Sequence, residues 1–262
     1  MTIIIPIVLI VGGVLAMVFL RSQMANKVRE MKFMETTTVK DLLDMFSTMQ
    51  SDGLGDHFRH YVEVKGTVYS PETVRTPFSD REVAYCASKL AAVTQREERY
   101  RDNDGNMRTR IQKSEETITM EDSSNTLLFK DSSSDQCVVL DIKNGCSFDV
   151  PETFDRFENV GNLNRYSYFR NFHHNRANLL GYRMQEKTVS LNQPLYVLGE
   201  AYKEGDIIHI GKPTDRDKTF IVSTKSEDEM IGKCESNAKF AFFGGIAAIV
   251  VGVGLLIYQL IA

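Results

Sequence analysis

Two long uncharged apolar segments lie at the ends of this chain, and every charged side chain lies between them. The first segment runs from Ile3 to Leu20, and the second runs from Phe240 to Ala262 with only Gln259 interrupting it. A helix needs roughly 20 mainly apolar residues to cross the hydrocarbon core of a bilayer. Both segments are about that long, so we predict two transmembrane helices that hold one water-facing domain against a single face of the membrane.

A cleaved signal peptide is the alternative interpretation of the first segment, because such peptides also contain an apolar stretch. No Lys or Arg precedes Ile3, as the basic start of a signal peptide would require, and Arg21 closes the segment on its far side. These flanks favour an uncleaved anchor. The predicted layout is a first transmembrane helix at 1–22, a helical juxtamembrane linker at 23–55, a soluble β-rich domain at 56–232 and a second transmembrane helix at 239–262.

Basic residues next to the two segments predict the orientation. They lie on the side of the central domain, whereas neither end of the chain carries one: Arg21, Lys27, Arg29 and Lys32 follow the first segment, and Lys233 and Lys239 precede the second. Because short cytoplasmic loops carry the excess of Lys and Arg, we expect the domain in the cytoplasm. A periplasmic or other extracytoplasmic domain is the alternative.

Small residues recur at four-residue intervals in both segments, as Gly12 with Ala16 and as Gly244 with Ala248 and Gly252. This spacing allows two helices to approach closely. It is also common by chance in apolar segments that are rich in glycine.

Composition narrows the function classes. The formal net charge of -4 gives no overall attraction to nucleic acid, so we expect no nucleic-acid partner. The four cysteines, which are Cys86, Cys137, Cys146 and Cys234, form no C-x-x-C pair and lack the ligand spacing of zinc sites. We therefore predict no metal and no cofactor. An even number of cysteines would permit disulfides only in an oxidising compartment.

Hydrophobic periodicity changes from helical to strand-like near Gly55. Thr38 followed by Asp41 matches a capping box, and the apolar residues Val39, Leu42, Leu43, Phe46 and Met49 predict a helix that ends at the breaker cluster 51–55. Many short strands between marked turns predict a mainly β (α+β) domain with a barrel-like or sandwich architecture between two transmembrane helices. The predicted strands are 61–68, 83–93, 126–129, 137–140, 195–200, 206–210 and 220–223.

Two polar regions separate these strands. Residues 95–114 are rich in Glu and Arg around Asn103-Asp104-Gly105, and because Asp-Gly is a strong hairpin turn we predict a protruding hairpin with solvated arms. Residues 152–178 show no clear period and are predicted to be irregular. Nothing repeats at a fixed period, which excludes solenoids and propellers.

The segment from Arg165 to Arg176 interleaves aromatic rings with cations. Such a pattern can stack on bases, lie at a lipid headgroup layer or form a hot spot for a protein partner. The structural alternative is a loop whose rings pack on the domain. Because the anchors hold the domain beside lipid, membrane or protein contact is favoured over nucleic acid. The candidate contact residues are Arg165, Tyr166, Tyr168, Phe169, Arg170, Phe172 and Arg176.

No motif for a catalytic nucleophile is present: G-x-S-x-G, S-x-x-K and H-E-x-x-H are all absent from the sequence. His57 and His60 could share one helical face, but without a third ligand nearby they are interpreted as surface histidines, and His173-His174 project in different directions. Asp131, Glu186 and Glu200 occur at strand ends. Paired carboxylates can do acid/base work, whereas single acids at turns more often accept backbone hydrogen bonds.

A succession of short motifs carries a family resemblance. In chain order they are Val62-Glu63-Val64-Lys65-Gly66-Thr67-Val68, Thr76-Pro77-Phe78-Ser79, Val83-Ala84-Tyr85-Cys86, Leu128-Phe129-Lys130-Asp131, Gly181-Tyr182-Arg183-Met184-Gln185-Glu186, Leu195-Tyr196-Val197-Leu198-Gly199-Glu200 and Phe220-Ile221-Val222-Ser223. Enclosed by two membrane segments, this succession resembles the GIDE family over roughly 61–229. That family includes mitochondrial membrane-anchored E3 ubiquitin ligases and many prokaryotic proteins, and its domain is also called "beside a membrane".

The resemblance implies a RING after the second membrane helix, since that zinc-binding domain is what recruits the ubiquitin-charged enzyme in ligases of this family. Here the sequence ends at Ala262, and no Cys/His ligand set replaces the RING. We therefore expect that this chain does not transfer ubiquitin itself. The family's mitochondrial members hold this domain in the intermembrane space, which is the origin of the alternative orientation.

The expected function is a membrane-anchored, non-catalytic interaction or scaffold module, or a sensor, acting in envelope or stress processes. Its expected partners are the lipid bilayer and another membrane or membrane-proximal protein. One alternative is an E3-ubiquitin-ligase-like component whose RING belongs to another chain. The other is binding of a lipid or small ligand at the membrane surface, which an apolar pocket with a few convergent polar groups would favour.

Overall fold

The computed structural model describes residues 4–102, 105–124, 126–143, 146–171 and 178–261. The chain is 41% strand, with apolar helices at both ends, which confirms the predicted fold class. The helices are α1 (Ile4–Leu15), α2 (Arg21–Phe33), α3 (Val39–Ser51) and α4 (Glu227–Ile261). The strands are β1 (Arg59–Tyr69), β2 (Val74–Arg75), β3 (Glu82–Val83), β4 (Tyr85–Arg101), β5 (Met107–Asp122), β6 (Thr126–Lys130), β7 (Val138–Asp141), β8 (Ser147–Asp149), β9 (Glu152–Asn159), β10 (Leu179–Val189), β11 (Pro194–Glu204), β12 (Ile207–Gly211) and β13 (Ile221–Ser223).

Five strands close into a barrel in the order β1, β6, β7, β12 and β11, with β11 pairing back to β1. Neighbouring strands are antiparallel except for the parallel pair β12 and β7. Closure leaves these strands without a free edge. Side chains alternate between the two faces of each strand, and those that fill the interior are fully buried, among them Val62, Val64, Phe129, Leu140, Val197 and Ile210.

A second sheet lies beside the barrel, with strand order β5, β4, β10 and β9. β4 and β5 form the predicted long hairpin, whose turn residues Asn103 and Asp104 lie outside the described residues. A separate apolar core, which includes Leu90, Tyr182 and Met184, lies on one face of this sheet. The strand predicted at 83–93 is divided at Ala84, so that its first residue belongs to β3 and the rest to β4.

The prediction that residues 152–178 are irregular was wrong for its first part. Residues 152–159 form β9, an edge strand that pairs antiparallel with β10, and two short 3₁₀ helices, Val160–Arg165 and Ser167–Asn171, follow it. β9 is exposed along most of its length. Both faces of this edge strand are exposed to solvent, so it has no buried face that would require an apolar residue at every second position. Its sequence therefore shows no alternation of apolar and polar residues.

The helix α3 packs on the barrel as its sequence predicts. Thr38 and Asp41 form both hydrogen bonds of the capping box, and the helix ends at Ser51 beside the breaker cluster. Its buried residues Val39, Leu42 and Phe46 join the core of the barrel. The amphipathic stripe therefore serves packing, not ligand binding.

The first apolar segment continues without a break into the linker. α1, a π-helical turn at Ala16–Leu20 and α2 form one helix, Ile4–Phe33. In this helix and in α4, only 11% of the most apolar stretch is buried by the rest of the chain. A helix that is apolar on all sides and unburied needs lipid as its solvent. Two helices long and apolar enough to cross a bilayer therefore support a membrane protein.

The two apolar helices touch through glycine, on a face that includes only part of the four-residue spacing. A Cβ placed on Gly13 would lie 2.7 Å from the Gly245 carbonyl oxygen and 3.3 Å from Ala248 Cβ, and one on Gly252 would lie 2.8 Å from Ile10 Cγ1. A Cβ placed on Gly12 or Gly244 would meet nothing within 4 Å, so these two glycines lie outside the contact. Uniformly apolar helices carry no polar face that would mark the outward side, and spacing alone left the choice between adjacent glycines open.

Candidate contact surface beside the membrane

The helices that leave the membrane are fixed to the outside of the barrel. Met31 of α2 and Met230 and Cys234 of α4 pack with Tyr196 and Ile221 of the barrel sheet in one buried cluster. Met31 is fully buried, although it belongs to the helix that continues the first apolar segment. This packing favours an anchor over a cleaved signal peptide, and it attaches the domain to both helices.

A buried carboxylate strengthens this junction. Glu63 of β1, which is 1% exposed, accepts hydrogen bonds from the Tyr196 hydroxyl at 2.8 Å and from Thr36 Oγ1 at 2.8 Å. Lys65 Nζ lies 3.1 Å from Glu63 and 2.7 Å from Glu227 at the start of α4. Burial and the neighbouring Glu63 raise the pKa of the Tyr196 hydroxyl above its usual range. The network links the linker after α2, the barrel and α4.

A second ion cluster links the barrel sheet to α4. The Asp149 carboxylate lies 2.9 Å from both Lys225 Nζ and Lys233 Nζ. Burial alone would raise the pKa of Asp149, but the hydrogen bonds from the two lysines outweigh it and hold that pKa below its usual value. The charged form of Asp149 is therefore the one that the fold stabilises.

The segment Arg165 to Arg176 lies over the second sheet. Phe169 is 3% exposed, and its ring contacts those of Tyr168 and Tyr182 with centroid distances of 5.3 Å and 5.4 Å. Tyr166 and Tyr168 are half-buried in the same core, and the Tyr166 hydroxyl donates to Glu158 at 3.2 Å. In the described part of the segment, the rings thus point towards the sheet.

The cations of this segment point the other way. Arg165 and Arg170 are exposed, whereas Phe172 and Arg176 lie outside the described residues. The two short 3₁₀ helices produce this separation, because they place buried Leu163 and Phe169 on the side of the sheet. The structure therefore brings Arg165 and Arg170 to the surface above an aromatic support. We call this surface the basic face.

The three acidic residues identified in the sequence, Asp131, Glu186 and Glu200, all accept hydrogen bonds from backbone N–H groups. Glu186 is fully buried and accepts from the Phe78 and Ser79 backbone N–H groups at 2.6 Å and 3.2 Å. Asp131 accepts from the Val39 N–H at 2.9 Å in the first turn of α3. There its charge complements the helix dipole. Glu200 accepts from the Thr214 N–H at 2.6 Å. Each carboxylate thus secures a loop or a helix end to a strand.

Comparison with known families decides the classification. Residues 95–257 match the family model of GIDE, which is described as an E3 ubiquitin ligase. The match begins inside β4 and reaches into the apolar part of α4, so it covers more than half of the chain.

The chain belongs to the GIDE family. No curated protein and no solved structure matches it. The matched region includes most of the second sheet, the basic face and the packing of α4 on the barrel. The first three motifs on which the resemblance was recognised precede the matched region.

One group of potential metal ligands in this GIDE protein was missed by the sequence analysis. Asp141, Glu204 and His209 place one donor atom each within 4.8 Å of one another. His209 Nδ1 lies 3.3 Å from the Asp141 carboxylate and 3.7 Å from Glu204, and the Tyr202 hydroxyl donates to Asp141. Only the pairing of β7, β11 and β12 brings them together, so no local spacing in the sequence could reveal them. The Tyr202 hydroxyl already donates to the Asp141 carboxylate, and His209 lies beside it, so the protein itself supplies partners for Asp141.

The histidines and cysteines named earlier lie apart from this cluster. His57 and His60 are exposed, and His173-His174 lie outside the described residues. All four cysteines are free. Burial raises the pKa of the Cys146 thiol to about 12, and burial together with Glu186 does the same for Cys86, to about 12. Both are therefore poor nucleophiles at neutral pH.

Proposed function

We propose that this chain is a membrane-anchored, non-catalytic interaction module of the GIDE family, in which the basic face is the contact surface for an acidic, membrane-proximal protein. One observation carries the proposal: the second sheet projects a support of buried rings under exposed Arg165 and Arg170. Because the buried rings are already ordered, a partner that binds above them does not have to pay the entropy of ordering those side chains. Arginine can also pair with carboxylates in bidentate geometry.

The chemistry of the described carboxylates supports a non-catalytic role. Glu186, Asp131 and Glu200 each accept hydrogen bonds from backbone and side-chain donors of the fold. A general acid or base must instead reach a substrate proton. The junction around Glu63 supports an anchoring role, since it fixes the domain to both membrane helices. On the evidence of the basic flanks, we place the domain on the cytoplasmic side.

An E3-related role is a second candidate, because the GIDE family is described as E3 ubiquitin ligases. The metal-ligand group found in the described part of the chain contains no cysteine. A RING holds its partner enzyme on a zinc-built surface of Cys and His ligands. In this version of the proposal the module positions its partner for ubiquitin transfer, and another chain supplies the RING.

Quantitative co-purification from gently solubilised membranes tests the basic face. The test variant replaces Arg165, Arg170 and Arg176 with Ser, and the matched control replaces the exposed cations Lys40, Lys212 and Arg216 with Ser. Both variants lose three positive charges. We expect proteins with acidic surfaces that co-purify with the wild type and the control to be depleted about tenfold or more with the test variant, because each exposed ion pair contributes up to ~1 kcal/mol. Identical sets of partners for the wild type and the test variant would contradict the proposal.

A further inference from the structure

A crevice of ≈ 460 Å³ lies between α2 and α4, where the two helices leave the apolar segments. Its walls are apolar and its rim is charged. The apolar lining consists of Met24, Ala25 and Val28 from α2 and of Ala238, Phe242 and Phe243 from α4. The remaining lining residues are Arg21, Glu235 and Lys239.

Two cations of this rim have no carboxylate within ion-pair distance among the described residues: Arg21 and Lys239. The Arg21 guanidinium lies over the Phe242 ring, 4.9 Å from its centroid, which orients it towards the crevice. Glu235 lies one helical turn before Lys239, but its carboxylate binds Lys32 Nζ at 2.9 Å. The crevice therefore combines apolar walls with two positively charged side chains that are available to pair with an anion.

The charged rim of the crevice lies at the level expected for the headgroup layer of a bilayer. Arg21 directly follows the first apolar segment, and Lys239 directly precedes the second. The headgroup layer on each side of the hydrocarbon core is about 5–7 Å thick. From Arg21 to Val28 the helix rises by roughly 10 Å, at about 1.5 Å per residue, so the crevice extends beyond this layer into water. The two cations thus lie where lipid phosphates lie, and Phe243 lies where acyl chains begin.

We propose that this crevice binds one anionic phospholipid. The phosphodiester lies against Arg21 and Lys239, and the upper part of an acyl chain packs on Phe242 and Phe243. Charge complementarity selects the occupant, since a zwitterionic lipid would bring a cationic amine next to the same two cations. Basic pockets between membrane helices are a known form of lipid recognition. The site is independent of the basic face, which lies on the second sheet.

The test measures binding of fluorescent phosphatidylglycerol and phosphatidylcholine to the full chain in an uncharged detergent. The test variant carries Arg21→Gln and Lys239→Gln. The matched control carries Arg29→Gln and Lys40→Gln, which are exposed cations outside the crevice. We expect about one phosphatidylglycerol per chain, bound tighter than phosphatidylcholine. Each cation near an anionic headgroup accounts for about a fivefold change, so the double variant should bind about 25-fold more weakly while the control stays unchanged.

A second variant tests whether the lipid binds in the crevice itself, independently of any change in charge. Ala25→Trp fills the crevice without altering its charge, and should abolish binding of phosphatidylglycerol while thermal unfolding stays as in the wild type. Equal affinity for the two lipids, or wild-type affinity of the double variant, would overturn the proposal. Displacement of phosphatidylglycerol by millimolar inorganic phosphate would also overturn it, because the site would then recognise free anions and not a lipid.

Discussion

At the scale of single residues, buried carboxylates do structural work in this protein. Glu63, Glu186 and Asp131 lie far from their partners in sequence, and each accepts hydrogen bonds that would otherwise be missing from a loop, a strand or a helix end. A charge is buried at low net cost only when such donors surround it. These residues therefore stabilise the fold, and replacing them should lower the free energy of unfolding.

Replacing Glu186 with Ala should destabilise the domain by about 3 kcal/mol, because the buried N–H groups of Phe78 and Ser79 lose their acceptor. Chemical unfolding followed by tyrosine fluorescence measures this, since the chain has ten Tyr and no Trp. Glu72→Ala, at an exposed glutamate, is the control and should change stability by less than ~0.5 kcal/mol. Equal stability of the two variants would show that Glu186 has no structural role.

The pKa of Asp149 predicts a pH dependence. Its folded-state pKa is lower than its unfolded value of about 3.9, so its contribution is complete above about pH 4 and is lost as the pH falls through the folded-state pKa. Asp149→Asn should cost about 1 kcal/mol at pH 7. The difference from the wild type should shrink as unfolding is measured at successively lower pH below 4. A difference that stays constant down to pH 2 would contradict this assignment.

At the scale of elements, the sequence predicts those whose own period is strong. The capping box and apolar stripe of α3 predict it closely, and the predicted strands of the barrel are present with shifted bounds. β9 and the exposed β5 carry no such period, since water covers most of both strands. Of the second sheet, the strand at 83–93 and the hairpin were predicted, whereas β9 and β10 were missed. Within the candidate site, the sequence identified Arg165 and Arg170. That the arginines are exposed while the neighbouring rings are buried follows only from the packing around Phe169, which the sequence does not show.

The contact between the apolar helices offers a comparison of adjacent glycines. Gly245→Leu should destabilise the folded chain in detergent by about 3 kcal/mol, because the new side chain meets the backbone of the first helix at Gly13. Gly244→Leu has the same chemistry one residue away, where nothing lies within 4 Å, and should have little effect. Thermal unfolding of both variants decides the point. If Gly244→Leu is the more damaging change, the helices pair through a face centred on Gly244 and not on Gly245.

At the scale of the whole molecule, the GIDE fold holds its barrel on two membrane helices that contact each other and the barrel. The junction through Met31, Glu63 and Met230 implies that the domain moves with its anchors as one unit. Such an arrangement suits a module that presents a surface at a fixed distance from a bilayer.

This account predicts that the chain alone does not catalyse ubiquitin transfer. With ubiquitin, an activating enzyme and a panel of conjugating enzymes, the purified protein should form no ubiquitin conjugates above background, and it should contain well below one zinc ion per chain. The reason is that its cysteines are dispersed and that Asp141 is already hydrogen-bonded within its cluster. Conjugates that depend on the chain, or stoichiometric zinc, would refute the non-catalytic assignment.

The central claim is that two membrane helices hold one domain on one side of the bilayer, and cysteine labelling tests it most directly. Cys86 and Cys234 are buried, whereas Cys137 and Cys146 are half-buried, so replacing both Cys137 and Cys146 with Ser leaves only buried thiols in the folded protein. Single cysteines are then introduced at the exposed positions Ser51, before the barrel, and Gly161, beside the second sheet. An impermeant maleimide should label both positions only after intact cells are permeabilised. Labelling of both in intact cells would reverse the orientation, and labelling of the two positions from opposite sides would contradict the central claim.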